Sequence, residues 1–208
     1  MKSDAIAFGI AGVAFGLIAG WIIGNQQATR GPLAPAVAQS APASAANAGT
    51  PQAALLDEAQ VKALTSVAER EPSNTKARVD LGNMYFDAER YDDAIKWYAD
   101  AVKLNPNDVN VSTDLGVAYY YTNQPDRALL QFDHSLTIDP KHTKTLLNQG
   151  IVRAFGKQNL EGATDSWQRV LQIAPDSPEG QSAKRALDSL RSAHPTLGAE
   201  GNTQKQGA

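Results

Sequence analysis

The chain has 208 residues, 22 acidic and 19 basic side chains, a formal net charge of −3 and no cysteine. The missing cysteine excludes disulfides, a Cys-x-x-Cys-His haem attachment, thiolate zinc sites and a thiol nucleophile. Residues 55–193 hold 20 acidic and 16 basic side chains without a basic stripe, which argues against nucleic acid as a partner.

Residues 5–24 form an uncharged, mostly apolar run whose helical length of about 30 Å matches the hydrocarbon core of a bilayer. The run is expected to be a single transmembrane anchor spanning 1–24. A cleaved signal peptide is the rival, with Ala36-Val37-Ala38 as a small-residue cleavage site, but that tripeptide lies well beyond the apolar run. Gly12, Gly16, Gly20 and Gly24 recur every fourth residue and would clear one side of the helix for transmembrane packing against another helix. Glycine is also simply frequent in membrane helices. Lys2 before the run, and no Lys or Arg from Gly31 to Ala54, favour a cytoplasmic amino terminus with the following domain on the outer, periplasmic side.

Residues 25–54 are rich in Ala, Pro, Ser, Gln and Gly and show no apolar period. They read as a disordered linker reaching about 30 Å, stiffened by Pro32, Pro35, Pro42 and Pro51. In 55–71, Leu56, Val61, Leu64 and Val67 return at helical spacing before Pro72, predicting a single N-terminal helix.

An internal repeat of 34 residues follows. Leu81, Gly82, Tyr85, Ala94, Tyr98 and Pro106 recur as Leu115, Gly116, Tyr119, Ala128, Phe132 and Pro140. Glycine in a helix interior costs roughly 1 kcal/mol relative to alanine, so its return at one phase points to a close helix crossing. The prolines mark the end of each second helix. These residues resemble the tetratricopeptide repeat family, and the resemblance implies an all-α solenoid of antiparallel helix pairs that binds other proteins. The repeats run 75–108 and 109–142. Ser73-Asn74 and Asp108 suit helix caps, and Pro125 suits a first helical turn.

A degenerate third copy covers 143–177. Gly150, Ala163, Trp167 and Pro175 keep the pattern, Gln149 and Arg153 replace the leucine and tyrosine, and one residue is added between Gly150 and Ala163. The turn Gly156-Lys157-Gln158-Asn159 is the expected place for it. Residues 178–192, with Ala183, Leu187 and Leu190 on one face, read as a closing helix. Residues 194–208 read as a disordered tail.

In the family the first helix of each pair lines the concave side. By phase, the resemblance implies a peptide-binding set of Asn83, Phe86, Val117, Tyr120, Tyr121, Lys144, Asn148, Ile151 and Phe155, with Tyr119 in the core. Lys76, Val79, Asp87, Asn110, Thr113 and Leu147 share the face. The aromatic and aliphatic content suits an extended or helical peptide with apolar anchors; neighbouring helices or the linker could instead cover it. A family subset grips free carboxylates with Lys, Asn and Arg. Val79 and Thr113 stand where its first basic residue would be, although Asn83, Lys144 and Asn148 resemble the rest.

No enzymatic constellation is present: His134, His142 and His194 share no metal-ligand spacing, and Asp87, Glu89, Asp92 and Asp93 bracket a turn. No cofactor or metal is expected. The expected function is a membrane-tethered scaffold that binds a protein or peptide and assists complex assembly. The pairing of anchor and repeats also resembles assembly factors of c-type cytochrome maturation. A third reading makes the repeats a spacer and transmembrane helix association the main contact.

Overall fold

The computed structural model describes residues 55–194. The expected anchor with Gly12, Gly16, Gly20 and Gly24, the linker and all of the tail but His194 lie outside the described residues. Among those described, no helix is long and apolar enough to cross a membrane.

Eight helices follow in order: α1 (Glu58–Arg70), α2 (Thr75–Asp87), α3 (Tyr91–Leu104), α4 (Val109–Tyr121), α5 (Pro125–Ile138), α6 (Thr143–Ile151), α7 (Leu160–Ile173) and α8 (Pro178–Ala193). A π-turn, Val152–Gly156, extends α6. Each helix packs on the next, and α2 with α3, α4 with α5 and α6 with α7 form the intimate pairs. The described residues are therefore a stack of αα-hairpins with α1 and α8 at its ends.

Local chemistry fixes the starts. The carboxylate of Asp57 accepts from the N–H groups of Ala59 and Gln60, and that of Asp108 from Asn110 and Val111. Asn74 Oδ1 accepts from Ala77 N, Asn159 Oδ1 from Gly162 N, and Ser177 Oγ from Gly180 N. Each satisfies donors that a helix start leaves orphaned. Pro125 occupies the first turn of α5, where its missing N–H costs nothing.

The prolines stand where the second helices end. Pro106, Pro140 and Pro175 are exposed and stand just past the C-caps Asn105, Asp139 and Ala174. They punctuate the turns and do not pack. The intra-pair turns share another device: Glu89, Asn123 and Gln158 have φ of 57°, 58° and 54°. In the first two turns, Arg90 N donates to Tyr85 O and Gln124 N to Tyr119 O. These bonds close the helix ends as in a Schellman motif.

The third turn is no longer than the others. The extra residue of repeat three lies in the preceding helix, as the π-turn Val152–Gly156, and Asn159 N reaches back to Arg153 O. The expectation of an insertion in the Gly156–Asn159 turn is corrected. A turn built on one positive-φ residue has fixed geometry, whereas a helix absorbs one residue as a π-bulge.

The core follows the repeat. Leu81, Ala94, Tyr98, Leu115, Tyr119, Ala128, Phe132, Ala163 and Trp167 are buried, while Tyr85 is half-buried. A Cβ on Gly82 would lie 2.5 Å from the Tyr98 ring, on Gly116 2.5 Å from Phe132, and on Gly150 2.2 Å from Trp167. Within each pair a glycine backbone thus receives an aromatic face that no larger residue would admit. At one end Val61 and Ala68 of α1 join Ala77 and Leu81 in a cluster with Leu56, Leu64, Val67, Met84, Tyr85 and Trp97 packed around it.

Candidate functional site

The face contributed by α2, α4 and α6 divides into a polar seam and an aromatic end. In the seam, Thr113 Oγ1 and Thr145 Oγ1 are 2.6 Å apart and buried. His142 Nδ1 lies 2.6 Å from Thr145 Oγ1, and its Nε2 lies 3.2 Å from Asn110 Oδ1. Lys144 Nζ donates to Asp114 Oδ1 at 2.7 Å. Three of these side-chain contacts, Thr113–Thr145, His142–Asn110 and Lys144–Asp114, tie the starts of α4 and α6 together. Burial, and secondarily the Lys144 cation, holds the His142 imidazole below its ordinary pKa, while Asp139, Asp114 and Glu179 pull the other way.

At the aromatic end, Tyr91 stacks on Tyr121 with centroids 4.6 Å apart and an interplanar angle of 19°. Phe86 meets both edge-on, at 5.1 Å and 5.6 Å, and Tyr120 meets Tyr121 edge-on at 6.2 Å. Four rings from α2, α3 and α4 thus join the first two repeats. Offset and edge arrangements of this kind contribute beyond the area they bury. Burial raises the Tyr120 hydroxyl to about 12; burial, with the Glu89 charge, raises Tyr91 to about 12. Tyr121 is pushed up by burial as well. An open pocket of about 450 Å³ adjoins the stack, lined by Glu89 to Asp93, Tyr121 and Thr122. Asp93 there is held by Arg90 and Lys96 at 2.7 Å and 2.9 Å, and its carboxyl is lowered, chiefly by the hydrogen bond from Lys96.

These neighbours decide which expected peptide-binding residues are accessible. Phe86, Val117, Asn148 and Ile151 are buried at 3–4 % exposure, and so are Thr113 and Leu147 on the same face. The expectation that these side chains meet a ligand is corrected. Asn148 instead donates from Nδ2 to Lys144 O, and Phe86 is spent on Tyr91 and Tyr121. Asn83, Tyr120, Tyr121 and Lys144 remain partly accessible, and Phe155 is 41 % exposed. Asn83 Oδ1 accepts from the Tyr98 hydroxyl at 2.7 Å. Tyr91, which the sequence reading missed, belongs to the aromatic end. Its place directly after a turn and at the head of α3 hid it, because only the fold brings that position against α4.

The carboxylate-gripping pattern is largely consumed. Lys144 is paired with Asp114, Asn148 is buried, and Asn83 holds Tyr98. The histidines are structural: His134 Nε2 lies 3.2 Å from Pro106 O, and His194 caps α8. Among the described residues no cluster of His, Asp and Glu could hold a metal ion.

Paired helices repeating at a fixed period, with glycine against aromatic in each pair, define an α-helical repeat protein of the solenoid class. The model of the TPR repeat matches residues 82–123. The described residues thus carry repeats of the tetratricopeptide type.

Solved structures place the fold among the same proteins. The first TPR of Spaghetti (RPAP3), bound to the HSP90 peptide SRMEEVD, is 26 % identical with a TM-score of 0.53, over 57 % of this chain and 94 % of that one. A tetratricopeptide repeat protein from Parabacteroides merdae is 18 % identical with a TM-score of 0.56, over 64 % and 53 %. MamA is 18 % identical with a TM-score of 0.54, over 64 % and 78 %. No curated protein sequence matches this chain.

Proposed function

We propose that this protein is a tethered adaptor that binds a segment of another protein on the α2–α4–α6 face, centred on Tyr120, Tyr121 and Phe155. It works by holding partners together and not by catalysis. The observation that carries the reading is the aromatic end: rings drawn from two repeats converge beside an open pocket. Such amphipathic rings give large contact area for little lost rotamer freedom. A repeat protein of similar fold is bound to an HSP90 peptide, which supports peptide binding by a domain of this kind. The apolar run at residues 5–24 supports a membrane tether, with the repeats outside, on the charge balance given above.

The bound segment is an internal stretch with apolar anchors, since the side chains that would hold a terminal carboxylate are engaged within the domain. The test is photocrosslinking in cells from a benzoylphenylalanine placed at Tyr121 of the full-length chain. A discrete crosslinked partner that disappears in Tyr120→Ala, Phe155→Ala, with helical content kept, supports the reading. Equal crosslinking in that variant sinks it, and crosslinks from an analogue placed in residues 5–24 alone would move the main contact to the anchor.

A further inference from the structure

Arg153 stands where the first two repeats have Tyr85 and Tyr119. Tyr119 is covered by Arg127, whose guanidinium lies 4.0 Å from the ring centroid and donates to the hydroxyl at 2.7 Å. In repeat three the cation itself sits against α7. Its Nη1 donates to Gly162 O at 3.1 Å and to Ser166 Oγ at 2.9 Å. Among the described residues those are its hydrogen bonds, and no carboxylate lies within ion-pair distance of it. Arg153 is half-buried, and a guanidinium withdrawn from water ordinarily has a counter-ion. Nε and Nη2 remain as a fork of donors with no acceptor among the described residues.

That fork borders an open pocket of about 450 Å³ lined by Arg153, Asp165, Ser166, Gln168, Arg169 and Gln172. Arg169 spends Nη2 on Pro140 O at 3.1 Å, which fixes the side chain and leaves its other donors. Gln168 and Gln172 add amide N–H groups one turn apart on α7. Asp165 is the one carboxylate in the wall, so the lining carries a formal charge of +1. A planar two-donor fork beside a second guanidinium matches a singly charged carboxylate; a dianion would be over-charged for the site and closer to Asp165.

We propose that this pocket, separate from the aromatic end, takes the carboxylate of an acidic side chain of a partner protein, with Arg153 as its main donor. The two departures of repeat three then have a common use. Arg153 supplies the cation, and the π-turn that contains it carries it at the end of α6, on the edge of the pocket.

The test follows the Arg153 Nε–H resonance of the full-length protein during titration with acetylated hexaglutamate amide, hexaglutamine amide or inorganic phosphate. The expected result is a saturable shift with hexaglutamate alone, and a hexaglutamate affinity, measured by calorimetry on parent and variants alike, that weakens about tenfold in Arg153→Gln. Arg153→Tyr restores the residue type of the first two repeats and controls for folding; it too should lose the calorimetric binding while keeping its Tm. Unchanged hexaglutamate affinity in either variant overturns the proposal. An equal response to phosphate overturns the carboxylate assignment, and a shift of the same resonance on Asp165→Asn without any probe shows that Asp165 is the counter-ion and overturns the site.

Discussion

The Trp167 indole occupies the space where a side chain on Gly150 would begin: a Cβ built there falls 2.2 Å from Nε1, and that same Nε1 donates to Leu147 O at 3.2 Å. The contact joins α6 to α7 in the repeat whose pattern is weakest.

Gly150→Ala should therefore destabilise the domain by about 1–3 kcal/mol through overpacking, even though alanine is the better helix former. Chemical denaturation should show a lower midpoint at unchanged slope. Gly150→Ala with Trp167→Leu should recover part of the loss relative to Trp167→Leu alone. A Gly150→Ala variant as stable as the parent would mean that the crossing is loose.

Gln149 and Ser166 lead to an asymmetric expectation. Ser166 Oγ lies 3.0 Å from Gln149 Oε1 and 3.1 Å from Gly162 O, and accepts from Arg153; Gln149 Nε2 donates to Asp133. Gln149→Leu leaves the hydroxyl with Gly162 O and restores the apolar residue of the first two repeats, so it should change stability by less than about 1 kcal/mol. Ser166→Ala strands a buried amide oxygen and removes an acceptor of Arg153, so it should cost about 1–3 kcal/mol. Thermal unfolding of both variants separates the cases, and equal losses would contradict the hydrogen-bond assignment.

For His142 the pH dependence has a definite sign. Its pKa is lowered in the folded state, first by burial and then by Lys144. The neutral ring thus stabilises the fold fully above the unfolded value near 6.5, and that contribution is lost as pH falls through the lower folded value. The parent should lose stability on going from neutral to mildly acidic pH, and His142→Asn should flatten that part of the profile. Asparagine also suits the N-cap position that His142 occupies at the start of α6. Tm measured across this range, with the His142 ring titration followed by NMR, checks the point.

Lys144, Asn148 and Asn83 are all engaged within the domain. The peptide SRMEEVD with a free carboxyl terminus should accordingly bind no more tightly than its amide, as calorimetry or anisotropy would measure. A preference of tenfold or more for the free acid would show that the Lys144–Asp114 pair opens to a ligand.

Much of this arrangement is legible in one dimension. The 34-residue recurrence of Gly82 and Gly116 marks where paired helices touch, while the side chains that meet those glycines, Tyr98 and Phe132, are seen only in the structure. Asn74, Asp108 and Pro125 read correctly because capping depends on the next three residues alone. Phase assigned the inner face but not its accessibility. Val117, Asn148 and Ile151 share that face with Tyr120, yet they are buried.

The amino-acid sequence by itself settled the class of fold and the positions at which paired helices touch, because steric size at fixed spacing is a local property that every repeat restates. Only the tertiary structure decided that the added residue sits in a π-turn, that Gln149 and Arg153 share Ser166, and that Tyr91 stacks on Tyr121. Those outcomes depend on which side chains of one repeat reach another through space, and no period along a single chain encodes that distance.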